Sequence, residues 1–280
     1  MSADLPVRGG RVRQRGGRRR ASGGFSPRRA IAALALLATA GLIWGVVASP
    51  VFGVKAVEVE GAVLTGDDAV RAALDLPAVP PNAFSLATDV LRERLLTLPA
   101  VADAEVVVGL PGTLRVRIVE REPVLAWRRQ GALLLADRDG RIVADAAVDA
   151  AVAARAAAAG LPLVADRRAA DAPLVVGGQL DPLDLDVATR LLSLVPADVG
   201  SAAPALLVGV DDRDGWTVIP TVEDPWTAVF GFYGPEIRGP AMIPEQVRLL
   251  RSLVVGREAT ILRVVLAGPR EGTYTRKAVP

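Results

Sequence analysis

The chain has 280 residues, is 51% apolar and 23% charged, and contains no Cys and no His. Lys55 and Lys277 are its only lysines, so nearly all positive charge is Arg. These counts exclude disulfides, Ser-His and Cys-His nucleophile pairs, histidine pH switching and most zinc sites, and leave lysine chemistry almost no place. A binding or scaffolding protein is therefore expected, with no cofactor, no metal and no small-molecule substrate. A Ser or Asp site stays open.

The net charge of +2 conceals an asymmetry. Residues 1–29 hold nine Arg against Asp4, a local charge of +8, so the rest of the chain carries −6. That segment has too little apolar surface to offset its ordering entropy and predicts a disordered basic arm. Its "RGGRVRQRGGRRR" resembles an RGG-type RNA-binding tract. A cytoplasmic arm that touches anionic lipid is the preferred reading, with no nucleic acid partner expected. Residues 30–54 carry no charge, and about 20 apolar residues span a bilayer. A transmembrane helix is expected over 30–53, with Arg28 and Arg29 at one membrane interface and Trp44 at the other. The positive-inside rule makes the chain a single-pass type II protein, its N-terminus cytoplasmic and everything after about residue 50 outside. Two rivals stay open: a cleaved signal with its small residue in Val46-Val47-Ala48, and a twin-Arg export signal in "SPRRAIA".

Beyond the run, "VKAVEVEG" (54–61) reads as a strand. "TGDDAVRAALDL" reads as a short helix capped by Thr65 or Asp67. "PAVPPNAF" (77–84) is irregular. "SLATDVLRERLLTLP" (85–99) is a helix with Val90, Leu91, Leu95 and Leu98 at helical spacing, a cap at Thr88 or Asp89, and Pro99 as its stop. Two strands then flank a turn at Gly109–Thr113. The order β-α-α-β-β predicts two helices on one face of a three-stranded sheet.

That order is similar to a POTRA domain. The stretch "LPAVADAEVVVGLPGTLRVRIVEREP" (98–123) resembles the FtsQ/DivIB family of bacterial cell-division proteins. The resemblance rests on Leu95, Leu98, Pro99, Val101 and Ala104, then Pro111, then Glu120, Arg121, Pro123, Ala126 and Trp127. It implies a POTRA domain over 54–122 and an FtsQ-type β domain over 123–268, an α+β fold behind a single transmembrane helix. Glu120, Arg121, Pro123 and Trp127 then mark the domain junction, although a solvated strand end explains the charged block equally well. The family often has an acid in its final strand, where this chain has Val265 or Leu266.

In the second domain, "LLLADRDGRIVAD" (133–145) and "LLVGVDDRDGWTVIP" (206–220) read as hairpins around Asp-Gly turns. Their Asp-Arg-Asp-Gly runs lack the flanking acids of a calcium loop, so turn chemistry is expected. "DAAVDAAVAARAAAAG" (145–160) predicts an Ala-rich insertion with a frayed helix. "DPLDLDVATRLLSLVP" is a helix with Asp184 and Asp186 at its start. "PWTAVFGFYG" reads as a strand, and "MIPEQVRLLRSLVVG" as a helix burying Ile243, Val247, Leu250 and Val254. "ATILRVVLAG" (259–268) is the last strand, with a polar tail over 269–280.

The resemblance implies a non-catalytic scaffold in the cell membrane at the division septum. Its expected partners are bitopic membrane proteins of the FtsB and FtsL type, and its role is control of septal wall synthesis. An exported soluble binding protein and a translocation-type POTRA protein are the alternatives. A terminal strand at a sheet edge offers unpaired backbone groups to a partner strand. Ile261, Arg263 and Val265, with Tyr274 in the tail, are the expected partner contacts, and Leu262, Val264 and Leu266 the core side.

Overall fold

The computed structural model describes residues 27–47, 49–79, 81–169 and 173–278, in two compact units divided between Ser49 and Pro50. The expected basic arm lies outside the described residues except for residues 27–29. Those three open the first helix, α1 (Pro27–Val47), whose 21 residues rise about 30 Å, enough to cross a bilayer. The helix thus starts earlier than the charge boundary implied, with Pro27 at its first position, where no N–H is needed. It ends at Val47, short of residue 53, and a separate 3-10 turn follows at Pro50–Phe52. No residue of α1 is buried, and Leu34, Leu37 and Leu42 present their side chains outward.

The second unit contains two sheets. The first comprises β1 (Ala56–Glu60), β2 (Val101–Gly109) and β3 (Thr113–Glu120), in the order β1-β3-β2. β3 runs parallel to β1 and antiparallel to β2. Two helices, α2 (Asp67–Leu74) and α3 (Thr88–Leu96), intervene between β1 and β2. They bury Val70, Leu74, Leu91 and Leu95 against Leu114, Val116 and Ile118 of the central strand. Val90, expected on that stripe, is exposed. The other face alternates charge: Arg115 meets Glu58 at 3.2 Å, and Arg117 meets Glu105 at 3.4 Å. These exposed pairs contribute little stability and keep that face wet.

The second sheet has nine strands. In chain order they are β4 (Pro123–Arg129), β5 (Ala132–Asp137), β6 (Ile142–Asp145), β7 (Leu163–Asp166), β8 (Leu206–Asp211), β9 (Gly215–Pro220), β10 (Thr227–Gly231), β11 (Ile261–Leu266) and β12 (Gly272–Arg276). In space the order is β12-β11-β10-β9-β8-β7-β4-β5-β6. Both Asp-Gly hairpins form, β5–β6 and β8–β9. In each, the first Asp side chain is consumed by its own turn. Asp137 accepts from the N–H groups of Asp139 and Arg141, and Asp211 from those of Arg213 and Asp214. Gly215 sits at φ +67°, and a side chain there would run into the backbone of Gly231.

Side-chain alternation divides the sheet into two faces. Leu125, Trp127 and Leu134 face a core shared with α5 (Pro182–Leu192) and α6 (Ile243–Val254). Ala126, Leu135 and Val143 face the other way, onto α4 (Ala150–Ala158) and onto Ala100 and Leu64 of the first sheet's domain. The Ala-rich segment, expected to fray, is a helix with a full N-cap: Asp149 accepts from the N–H groups of Ala151 and Val152. Val152 and Ala156 are its buried contacts. The strand after it, β7, has no clear signal in the sequence, because a run of four residues, Leu163 to Asp166, is too short to show a period.

Candidate interaction surface

The final strand of the sheet is β12, and it lies within the segment expected to be a polar tail. It pairs antiparallel with β11, which in turn pairs parallel with β10. β11 is therefore an interior strand, and the sheet ends at β12 on this side and at β6 on the other. The alternation of β11 is also broken. A register shift between Ile261 and Arg263 leaves Ile261, Val264 and Leu266 buried and Leu262 half exposed. A β-bulge inserts one residue and resets which side faces the core, an effect that periodicity in one strand cannot reveal.

The expected contact residues separate accordingly. Ile261 is core. Arg263 donates to Asp214 at 2.5 Å and ties β11 to the β8–β9 turn. That hydrogen bond holds the Asp214 carboxyl below the ordinary range. Val265 lies between Val229 on β10 and Thr273 on β12, so its backbone serves the ladder. Tyr274 alone stands on the edge strand, its ring partly buried against the core. Arg276 donates to its hydroxyl at 3.3 Å and lowers the phenol's pKa, with the guanidinium 5.8 Å from the ring centre.

β12 is pinned at its far end. The N–H of Lys277 donates to the carbonyl of Thr260 at 2.9 Å, and its ammonium reaches both the carbonyl and the carboxylate of Asp224 at 2.8 Å. Because successive N–H groups of a strand point to opposite sides, those of Tyr274 and Arg276 are directed away from β11. The result is a short, rigid edge with threonines at Thr273 and Thr275 and free outward donors, the geometry to which an extended chain can add.

The junction residues also part company. Glu120 turns back into the first domain, where its carboxylate accepts from the N–H groups of Leu64 and Thr65 at 2.7–2.8 Å. It thereby serves the approach to α2, whose N-terminus carries no side-chain cap. Arg121 does bridge the two sheets, donating to Asp137 at 3.0 Å. Pro123 opens β4 opposite Asp137. Trp127 is not at the junction: it is fully buried in the core of the large sheet, edge-on to Trp216, with its indole N–H on Asp166 at 3.1 Å. Its aromatic bulk fills the sheet–helix core of the large domain. Arg28 and Arg29 stand in the first turn of α1 and Trp44 in its last, about 22 Å apart along the axis.

Two polar groups missed by the sequence lie inside the large domain. Asp166 is buried beneath Trp127, Arg129 and Arg168, and Arg168 also grips Asp184 at 2.7 Å. Gln246, on α6, donates to the carbonyls of Phe230 and Leu266 and accepts from the Tyr233 hydroxyl at 2.6 Å. Burial pushes the Tyr233 phenol well above its ordinary value.

Comparison with known proteins agrees with this architecture. The family model described as "POTRA domain, FtsQ-type" matches residues 52–121. Cell division protein FtsQ of Cereibacter sphaeroides is 41% identical over 114 residues, 39% of this chain and 37% of that protein. Cell division protein FtsQ of Chloroflexus aurantiacus is 30% identical over 149 residues, 53% of this chain and 51% of the relative. That of Chloroflexus aggregans is 29% identical over 185 residues, 66% and 64% of the two chains. The matches thus span from about a third to two thirds of the curated relatives' length. The chain is thus similar to FtsQ cell division proteins over part of its length, with an FtsQ-type POTRA domain, a mixed β-sheet domain behind it and an N-terminal apolar helix ahead of it.

Proposed function

We propose that this protein is a non-catalytic scaffold of the bacterial division machinery, held in the cell membrane by α1 with its N-terminus in the cytoplasm. The folded unit works outside the membrane at the septum. It joins FtsB- and FtsL-like bitopic proteins and so controls septal wall synthesis. The domain plan is an arm, an anchor, a POTRA domain over about 54–122 and a β domain from about 123. The observation that carries the reading is the open edge of β12, at the end of the large sheet away from β4–β6, in a chain with an FtsQ-type POTRA domain. A partner segment adds a strand to that edge, with backbone bonds for affinity and side chains around Tyr274 for specificity.

The test is Arg276→Pro. Proline removes one outward N–H and is tolerated at an edge strand, so the protein should keep its melting temperature. It should also lose capture of the FtsB-like partner in a membrane pull-down. A fusion of the variant should then fail to support division in depleted cells. Full partner capture by a folded Arg276→Pro protein sinks the strand-addition reading. A full-length product that stays in the membrane after carbonate treatment is expected, and a soluble form starting near Ser49 sinks the anchor.

A further inference from the structure

Two uncharged segments meet at the start of the folded unit. One is the chain that leaves α1: residues 30–54 carry no charge. The other is the irregular loop between α2 and α3, which after Asp75 carries no charge through Ala87. They are bonded to each other. The N–H of Ala83 donates to the carbonyl of Phe52 at 2.8 Å, and that of Val54 to the carbonyl of Pro81 at 2.9 Å. Gly53 and Asn82 form an antiparallel bridge. The Phe84 ring stands edge-on to the Phe52 ring at 5.2 Å.

Val54, Leu76 and Leu86 of this joined segment pack on the core of the first sheet, but Val79 and Phe84 do not. Val79 is 79% exposed and Phe84 53% exposed, and neither belongs to a buried cluster of either domain. Exposed apolar side chains on one loop of a folded unit mark something it touches. Chain length says what that is. Phe52 follows Val47, the last residue of α1, by five residues, so it lies at most about 18 Å from the helix end in any conformation. The loop bonded to Phe52 shares that limit. Pro77, Pro80 and Pro81 also remove three backbone N–H donors from the loop, which lowers the cost of taking its backbone out of water. Exposed Lys55 is adjacent, suited to an anionic headgroup.

We propose that Phe52, Val79 and Phe84 form a second membrane contact, an interfacial one, in which the loop between α2 and α3 inserts into the headgroup zone of the bilayer that α1 crosses. The contact rests on the reading of α1 as a membrane-spanning helix. Aromatic and aliphatic side chains on a loop whose single charge, Asp75, sits at its α2 end fit that zone.

The absence of Cys makes the test direct. Single substitutions Val79→Cys, Phe84→Cys and Leu42→Cys in the full chain are labelled with an environment-sensitive nitrobenzoxadiazole probe. The proteins are reconstituted in vesicles of phosphatidylethanolamine and phosphatidylglycerol, with doxyl quenchers placed shallow or deep. The expected result is a blue shift and loss of emission by the shallow quencher at 79 and 84, with deep quenching at 42. Water-like, unquenched probes at 79 and 84 beside a quenched probe at 42 overturn the loop contact and leave the anchor intact. A blue shift at 79 and 84 without lipid quenching means that the loop is covered by protein, and it overturns the proposal equally. An unquenched probe at 42 removes the anchor, and the loop contact falls with it.

Discussion

Arg121, the residue after β3, donates to Asp137 at 3.0 Å, and this pair joins the small sheet to the large one. Asp137 is almost completely buried, and its second oxygen is already held by the N–H groups of Asp139 and Arg141. The neighbouring contacts run the same way: the Arg121 N–H donates to the carbonyl of Ala100, and Leu64 and Ala100 pack on the face of β4–β6. Asp137→Ala strips the turn of its acceptor and leaves Arg121 without its carboxylate. The expected loss is about 3 kcal/mol, read by denaturant unfolding of the detergent-solubilised chain. A variant within about 0.5 kcal/mol of wild type would mean that the apolar contact alone joins the sheets.

Asp166 and Arg168 predict how stability follows pH. Burial works against the Asp166 charge, but the hydrogen bonds from Arg168 and Trp127 outweigh it and hold the carboxyl below its ordinary value. A carboxyl whose folded pKa is depressed contributes stability above its unfolded value, near 4, and loses it as pH falls through the folded value. Arg168→Met leaves Asp166 buried beside a more distant Arg129. The variant should be about 3 kcal/mol less stable at neutral pH. Its deficit should shrink in acid, because a protonated Asp166 no longer needs the guanidinium. Melting curves between about pH 7 and about pH 3 check this, and a deficit that stays constant would show that packing is what was lost.

Gln246 holds three elements with one amide: the end of β10, the end of β11 and the Tyr233 hydroxyl. Gln246→Leu matches its volume but leaves two buried carbonyls and a phenol without this partner. About 3 kcal/mol of destabilisation is expected, with faster amide exchange along β11. An unchanged melting temperature would show that water takes over the site. The sheet beneath β12 depends on this contact, so partner capture should weaken along with stability.

Much of the fold is legible in sequence because local physics writes it. The Asp-Gly turns appear where the left-handed turn demands them, and the Pro-led helix α6 starts at Ile243 and stops before Gly256. The order β-α-α-β-β follows from periodicity alone. Capping was misread for the opposite reason. Thr65, Asp67, Thr88 and Asp89 are the local candidates, yet neither α2 nor α3 has a side-chain cap, and Glu120 serves the approach to α2 from a distant strand. The α6 stripe shows the same limit: Val247 fits the apolar pattern, yet Gln246 is the fully buried residue, because two carbonyls on neighbouring strands need its amide.

The sequence by itself determined an uncharged helix long enough to cross a bilayer, the POTRA order behind it, and a β domain with helices punctuated by Asp-Gly turns. These depend on charge, period and turn chemistry, which act within about ten residues. Only the tertiary structure decided which strand is the edge. Gly272–Arg276 has few apolar residues and reads as a tail, but the backbone of β11 supplies it with a ladder, Lys277 pins its end, and Tyr274 finds a place against the core. A strand made by its neighbour's hydrogen bonds leaves little mark in its own side chains, and for that reason the open edge passed from Val265 to Tyr274 and Arg276 only once the sheet was assembled.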